Sequence, residues 1–317
     1  MRGATGLGVV LVFVCAPVCV AHADEPVAAL RSELAKPDSK IDFAEVKVRF
    51  DKLVDPRVDA RATLSQVDAM TNAVRTMAGP NATPIQRLTA VRRFIYTDGP
   101  WNQHKPFKYD LADPLGLRPV NRLLSTYLKT RRGNCVSMPL LFLALADRAG
   151  IHVSLSTAPQ HEFVKYIDDA SGKIYNIETT SGGYPARDAW YRQNLSMSDK
   201  AIRNGVYLKT LSRKQGVAVI AWELADHALQ KKQYQMAIAL SDLILAQYPQ
   251  FPVALVDRGV AYGGLVDTEF RPKYPRPTDI PRDLLPKYLA YVRNAEASFN
   301  RLDMLGWQQT DGEPETQ

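Results

Sequence analysis

The chain has 317 residues, 40 Lys and Arg against 33 Asp and Glu, and 46% apolar residues. That balance supplies one large or two small cores and excludes a disordered, collagen-like or coiled-coil chain. Beyond the N-terminus no apolar run approaches the ~20 residues that span a bilayer. The formal charge of +7 fits a solvated basic surface or a patch for anionic cell-envelope polymers.

The first residues differ in kind. Met1 and Arg2, an apolar stretch over 7–20 and Ala21-His22-Ala23 read as an export signal cut after Ala23. Residues 1–23 are expected to leave, giving an exported, periplasmic chain with no membrane span. Val14 and Val18 stand before Cys15 and Cys19 where a lipoprotein cut would want small residues. With those two cysteines gone, Cys135 is the sole thiol, which excludes an intramolecular disulfide and any Cys-based zinc or iron–sulfur site. No phosphate-cradling Gly-rich loop, His-x-x-x-His pair or basic–aromatic stripe is present. No cofactor, metal or nucleic acid is therefore expected.

From 24 to 80 the pattern is helical, with Leu64, Val67, Met70, Val74 and Met77 on one face and Gly79-Pro80 ending it. A further helix over 84–95 carries Pro84 in its first turn and Ile85, Leu88, Val91 and Ile95 as its stripe. The stretch 104–116 is expected to be a loop held down by Trp101, Phe107 and Tyr109. A helix over 121–129 leads to Arg131-Arg132-Gly133-Asn134-Cys135, followed by a Leu- and Ala-rich helix over 136–149. Asn134 is its N-cap and Gly150 its C-terminal cap; being apolar nearly all round, it should sit centrally.

Three strands follow, over 151–157, 161–167 and 174–180, the last two joined at Ser171-Gly172. A hairpin on a buried helix makes the fold α+β. Past 216 the chain is helical again. Leu224, Ala225, Tyr234, Ala237, Pro249, Gly259 and Tyr262 fall where tetratricopeptide helix pairs want them. A proline-rich connector over 271–286 and a last helix over 287–305 finish the chain. The expected domains are 24–80, 81–215, 216–266 and 267–317.

Cys135 stands where a thiol can do chemistry. A helix start offers partial positive charge and unpaired N–H groups for an oxyanion, and Arg131 and Arg132 precede it; both would favour the thiolate. His161, 26 residues on, is a candidate base at the start of a strand. Glu178, 17 residues further, lies on the partner strand and could hold the imidazole in one tautomer. Asn176 is a rival for that role on the same strand face, and Arg187 a rival partner for Glu178. His104 could contribute to a cleft or be an exposed loop histidine; His152 and His227 read as structural. Trp190 and Tyr191 suit either a substrate groove or aromatic packing.

The blocks Arg132-Gly133-Asn134-Cys135-Val136-Ser137, His161-Glu162-Phe163-Val164 and Tyr175-Asn176-Ile177-Glu178-Thr179-Thr180 together resemble the transglutaminase-like superfamily, relatives of the papain-like cysteine peptidases. The resemblance covers roughly 84–266 and is nearest the bacterial SirB1-like branch, in which tetratricopeptide-like helices follow the domain. It implies a papain-like core with Cys135 as nucleophile, His161 as base and Glu178 as the acid, where the family usually has Asp. The Trp that binds the oxyanion in animal transglutaminases has no match, since Trp101 lies too far upstream.

Two functions follow. One is thiol-dependent acyl transfer, hydrolysing or transamidating amide bonds of a peptide, protein or peptidoglycan-peptide substrate. The other is an inactive scaffold whose helical repeats bind a peptide or protein partner.

Overall fold

A computed structural model describes residues 25–309. The expected export signal over 1–23 lies outside the described residues. Four helices open the fold: α1 (Glu25–Ala35), α2 (Phe43–Val54), α3 (Ala60–Ala78) and α4 (Pro84–Tyr96). In α3 the expected stripe faces inward, with Val67 and Val74 fully buried. Thr83 and Gln86 close a capping box at the start of α4, with Pro84 in its first turn, where a missing N–H costs least.

The stretch expected as loop contains a strand. β1 (Lys108–Tyr109) pairs in parallel with β2 (Arg132–Gly133). The helix expected over 121–129 is two pieces, α5 (Pro119–Arg122) and α6 (Leu124–Thr130), broken at an extended Leu123. Tertiary structure makes that break: the Leu124 N–H donates at 2.7 Å to the buried Asp51 carboxylate on α2. Next comes α7 (Ser137–Arg148), whose residues Ser137 to Ala146 are all buried. It is the central helix that its composition predicts.

Against α7 lies an antiparallel sheet in the order β3 (Val153–Ala158), β4 (His161–Asp168), β5 (Lys173–Glu178), β6 (Tyr184–Ala186). The fold is thus mixed α and β, with the buried helix on an antiparallel sheet that the sequence predicts. The short β6 was not legible, and the sheet has no open face along β3 and β4. Leu155, Val164, Tyr166 and Ile177 join the main core. On the opposite face Ala158 and Phe163 join a second core with Tyr191, Val206, Leu208, Leu302 and Leu305. The period-two alternation therefore separates two cores instead of core from water.

That second cover comes from α8 (Asp188–Asn194), α9 (Asp199–Arg203) and the chain's last helix. Beyond them α10 (Arg213–Gln230), α11 (Tyr234–Gln247) and α12 (Pro252–Glu269) pack each on the next, and α13 (Leu285–Leu305) packs on α12. The proline-rich connector holds a short 3-10 turn over 277–279. α10 also returns to α2, where Lys47 meets Glu223 at 2.6 Å, so one core runs from Ala29 to Leu265. Among the described residues no helix is long and apolar enough to cross a membrane.

Candidate active site

Cys135 sits between the end of β2 and the start of α7. Gly133 is required two positions earlier by close approach: a Cβ there would stand 2.5 Å from the Tyr127 ring and 2.7 Å from the Met138 side chain. Asn134 caps the helix as expected, its Oδ1 accepting the Val136 and Ser137 N–H groups at 3.0 Å each, and its carbonyl accepting the Met138 N–H. The Cys135 N–H donates to the Pro114 carbonyl at 3.1 Å. All four leading N–H groups thus have partners, which corrects the expectation of a helix start with spare donors.

Two bonds tie Cys135 to the neighbours of His161. The thiol donates to the Gln160 carbonyl at 3.2 Å, and the Glu162 N–H donates to the Cys135 carbonyl at 3.3 Å. The start of β4 is thereby seated against Cys135. His161 in turn lies 2.8 Å, Nε2 to Oε2, from Glu178. The pairing of Val164 with Ile177 sets this meeting, because it brings the start of β4 level with the end of β5.

Glu178 is 3% exposed and saturated with donors. Its Oε2 also accepts from the Tyr191 hydroxyl at 2.9 Å, and its Oε1 from the Thr180 N–H at 2.9 Å and hydroxyl at 2.6 Å. Burial works against its charge, but the bonds from His161 and Thr180 outweigh it and hold the carboxyl below its ordinary range. An ionised carboxylate only accepts, so His161 Nε2 carries the proton. Tyr191 is fixed by stacking on Phe163 with centroids 4.3 Å apart, so this aromatic orients the acid, while Trp190 stays exposed beside it.

The rivals have other partners. Asn176 accepts from Lys165 and donates to Asp188, and the partners of Glu178 are His161, Tyr191 and Thr180 in place of Arg187. His104 pairs with Asp98 and His152 with Asp169, both on the surface. Among the described residues no group of three or more His, Cys, Asp and Glu could hold a metal ion.

The electrostatics of the thiol reverse the expectation. Burial first, then the Glu162 carboxylate, push Cys135 up to about 12, against an opposing pull from Arg122. The cation that favours the thiolate is thus Arg122, held by Asp226 at 2.6 Å and stacked over Trp222. Arg131 lies over the Phe107 ring and Arg132 is exposed. Glu162 itself is raised to about 8 by burial and the nearby Glu223 carboxylate. Thr180, Glu162 and Arg122 were not singled out from sequence. Thr180, two residues beyond the acid, was the one with a local signal, since a hydroxyl at that spacing closes a turn on the carboxylate.

Residues 61–217 match the family model of the Transglutaminase-like superfamily. The UPF0162 protein BU173 of Buchnera aphidicola subsp. Acyrthosiphon pisum (strain APS) is 23% identical over 189 residues, 57% of this chain and 65% of its own. The UPF0162 protein YchA of Escherichia coli (strain K12) is 26% identical over 164 residues, 50% of this chain and 56% of its own. The matches therefore span less than two thirds of those relatives. A crystal structure of menin, which reveals its binding site for the Mixed Lineage Leukemia (MLL) protein, aligns over 92% of this chain and 84% of menin with TM-score 0.41 and 14% identity.

Proposed function

We propose that this chain, which carries a transglutaminase-like domain over 61–217, is an exported cysteine-dependent acyl-transfer enzyme of the SirB1-like branch. The observation that carries the reading is the 2.8 Å His161–Glu178 pair on a strand whose first residues bond to Cys135. With Nε2 committed to Glu178, Nδ1 is the ring nitrogen available to exchange a proton with the thiol. Sγ attacks an amide carbon, the C–N bond breaks, and His161 returns the proton to the leaving amine. Water or a second amine then opens the thioester. Hydrolysis and transamidation share the first half-reaction; water, always at hand, favours hydrolysis of peptide, protein or peptidoglycan-peptide amides. The leader-like residues 1–23 support export to the periplasm.

A second reading has one observation in its favour, the buried thiol held protonated. On it the domain is an inactive scaffold, and tetratricopeptide-like helices within 216–266 hold a peptide or protein partner.

The rate of Cys135 alkylation by iodoacetamide, followed against pH, separates the two. A working triad gives alkylation at neutral pH that depends on the imidazole, so His161→Ala lowers the neutral rate at least about tenfold. A rate that rises only in alkali, equal in both proteins, sinks the catalytic reading.

A further inference from the structure

Acyl transfer through a tetrahedral intermediate needs donors where negative charge develops on oxygen, and two donors on one oxygen is the recurring solution. Around Cys135 such a pair exists and already holds an oxygen. The Pro114 carbonyl accepts the Cys135 N–H at 3.1 Å and the Tyr109 hydroxyl at 3.2 Å. Resting on the catalytic reading above, we propose that Tyr109 is a further catalytic residue. Its hydroxyl and the Cys135 N–H form the oxyanion site, and the Pro114 carbonyl plugs that site in the closed arrangement.

Position and chemistry both support this. Tyr109 ends β1, which pairs with β2 immediately before Asn134-Cys135, so the phenol is set by the same ladder that sets the nucleophile. Burial first, then the charges of Cys135 and Glu178, push the phenol up to about 12. It stays a donor at neutral pH and lies within electrostatic reach of both triad members.

The plug belongs to a strap over 110–118. Asp113 is its buried anchor, accepting the Leu117 and Arg118 N–H groups and the Asn121 amide. Gly116, at φ +64°, packs so closely on Asn134 that a Cβ would stand 2.9 Å from its side-chain nitrogen. Arg122 Nε donates to the Gly116 carbonyl. Pro114 itself is exposed at the crest, while Leu115 beside it packs against the main core. Its occupant is the carbonyl of the Pro114–Leu115 amide, which is the group a peptide substrate would present.

In the step that follows, the sulfur lone pair forms the C–S bond. The carbonyl π pair moves onto oxygen, where the Cys135 N–H and Tyr109 O–H receive it. Collapse re-forms C=O and expels the amine, which takes its proton from His161.

The test compares two probes of Cys135 in the full chain. Iodoacetamide alkylates the thiolate without forming an oxyanion; p-nitrophenyl acetate acylates it through one. Tyr109→Phe is expected to lower acylation relative to alkylation by about 100-fold, with alkylation unchanged or faster. An unchanged ratio overturns the assignment of Tyr109. If alkylation also shows no dependence on His161, the triad fails and takes the oxyanion site with it. If alkylation depends on His161 while the ratio stays fixed, only the Tyr109 inference fails. Asp113→Asn, which loosens the strap, is expected to raise acylation; an unchanged or lower rate overturns Pro114 as the plug.

Discussion

His161 and Glu162 are consecutive on β4, yet their surroundings are opposite in kind. On the His161 side the buried carboxylate of Glu178 receives four hydrogen bonds and is held below its ordinary range. On the Glu162 side the carboxyl has an oxygen, Oε2, that is buried without a partner, and burial raises the group to about 8. Both side chains are glutamates and both are nearly inaccessible. Burial alone therefore does not set the charge; the donors that converge on the group do.

The largest expected effect lies on the Glu162 side. Lys47 there binds Asp51 and Glu223, each at 2.6 Å, inside the core. Lys47→Met leaves two buried carboxylates without their cation and should cost about 3–5 kcal/mol, measured by urea unfolding. A loss below ~1 kcal/mol would mean that this side tolerates charge as easily as the other.

On the His161 side, Glu178→Gln keeps the shape but removes the charge that three partners were built for. It should cost about 2 kcal/mol near neutral pH. The sign of its pH dependence is fixed: a carboxyl depressed in the folded state stabilises above its unfolded value near ~4.3. That contribution disappears as pH falls through the lower folded value, so mutant and wild type should converge in acid.

Glu162→Gln should do the reverse. A carboxyl raised to about 8 in the folded protein makes folding progressively less favourable as pH climbs from the unfolded value toward that point. The substitution should therefore stabilise by roughly 1–3 kcal/mol near pH ~8, with the gain vanishing near pH ~4. It should also lower the thiol, since Glu162 is the leading charge acting against the Cys135 thiolate. Denaturant midpoints across pH, and the pH profile of Cys135 alkylation, check both. A gain that persists in acid would break the contrast between the two glutamates.

Much of this was legible in the chain. The α3 stripe, the Leu88, Val91 and Ile95 part of the α4 stripe, the Asn134 cap, the buried α7 and the β4–β5 hairpin follow from local periodicity and turn chemistry and appear where those rules put them, while Ile85, expected on the α4 stripe, is exposed. Cys135, His161 and Glu178 could be picked out because nucleophilic chemistry needs a thiol, a base and an acid on adjoining elements. Less legible was whatever depends on distant chain. The break at Leu123 comes from Asp51, 73 residues away. The sheet's second cover comes from Tyr191, Leu302 and Leu305. Arg131 and Arg132 are not the cations that favour the thiolate, because Arg131 lies over the Phe107 ring and Arg132 is exposed; Arg122 is.

What the residues determined by themselves was which segments coil, which extend, and which three side chains are candidates for the chemistry, because those properties are encoded within a few positions. Packing alone decided which carboxyl keeps its charge, which thiol keeps its proton and which N–H groups are already taken. Such outcomes depend on how much water is excluded and which donors arrive from remote segments, and neither quantity exists until the chain has folded.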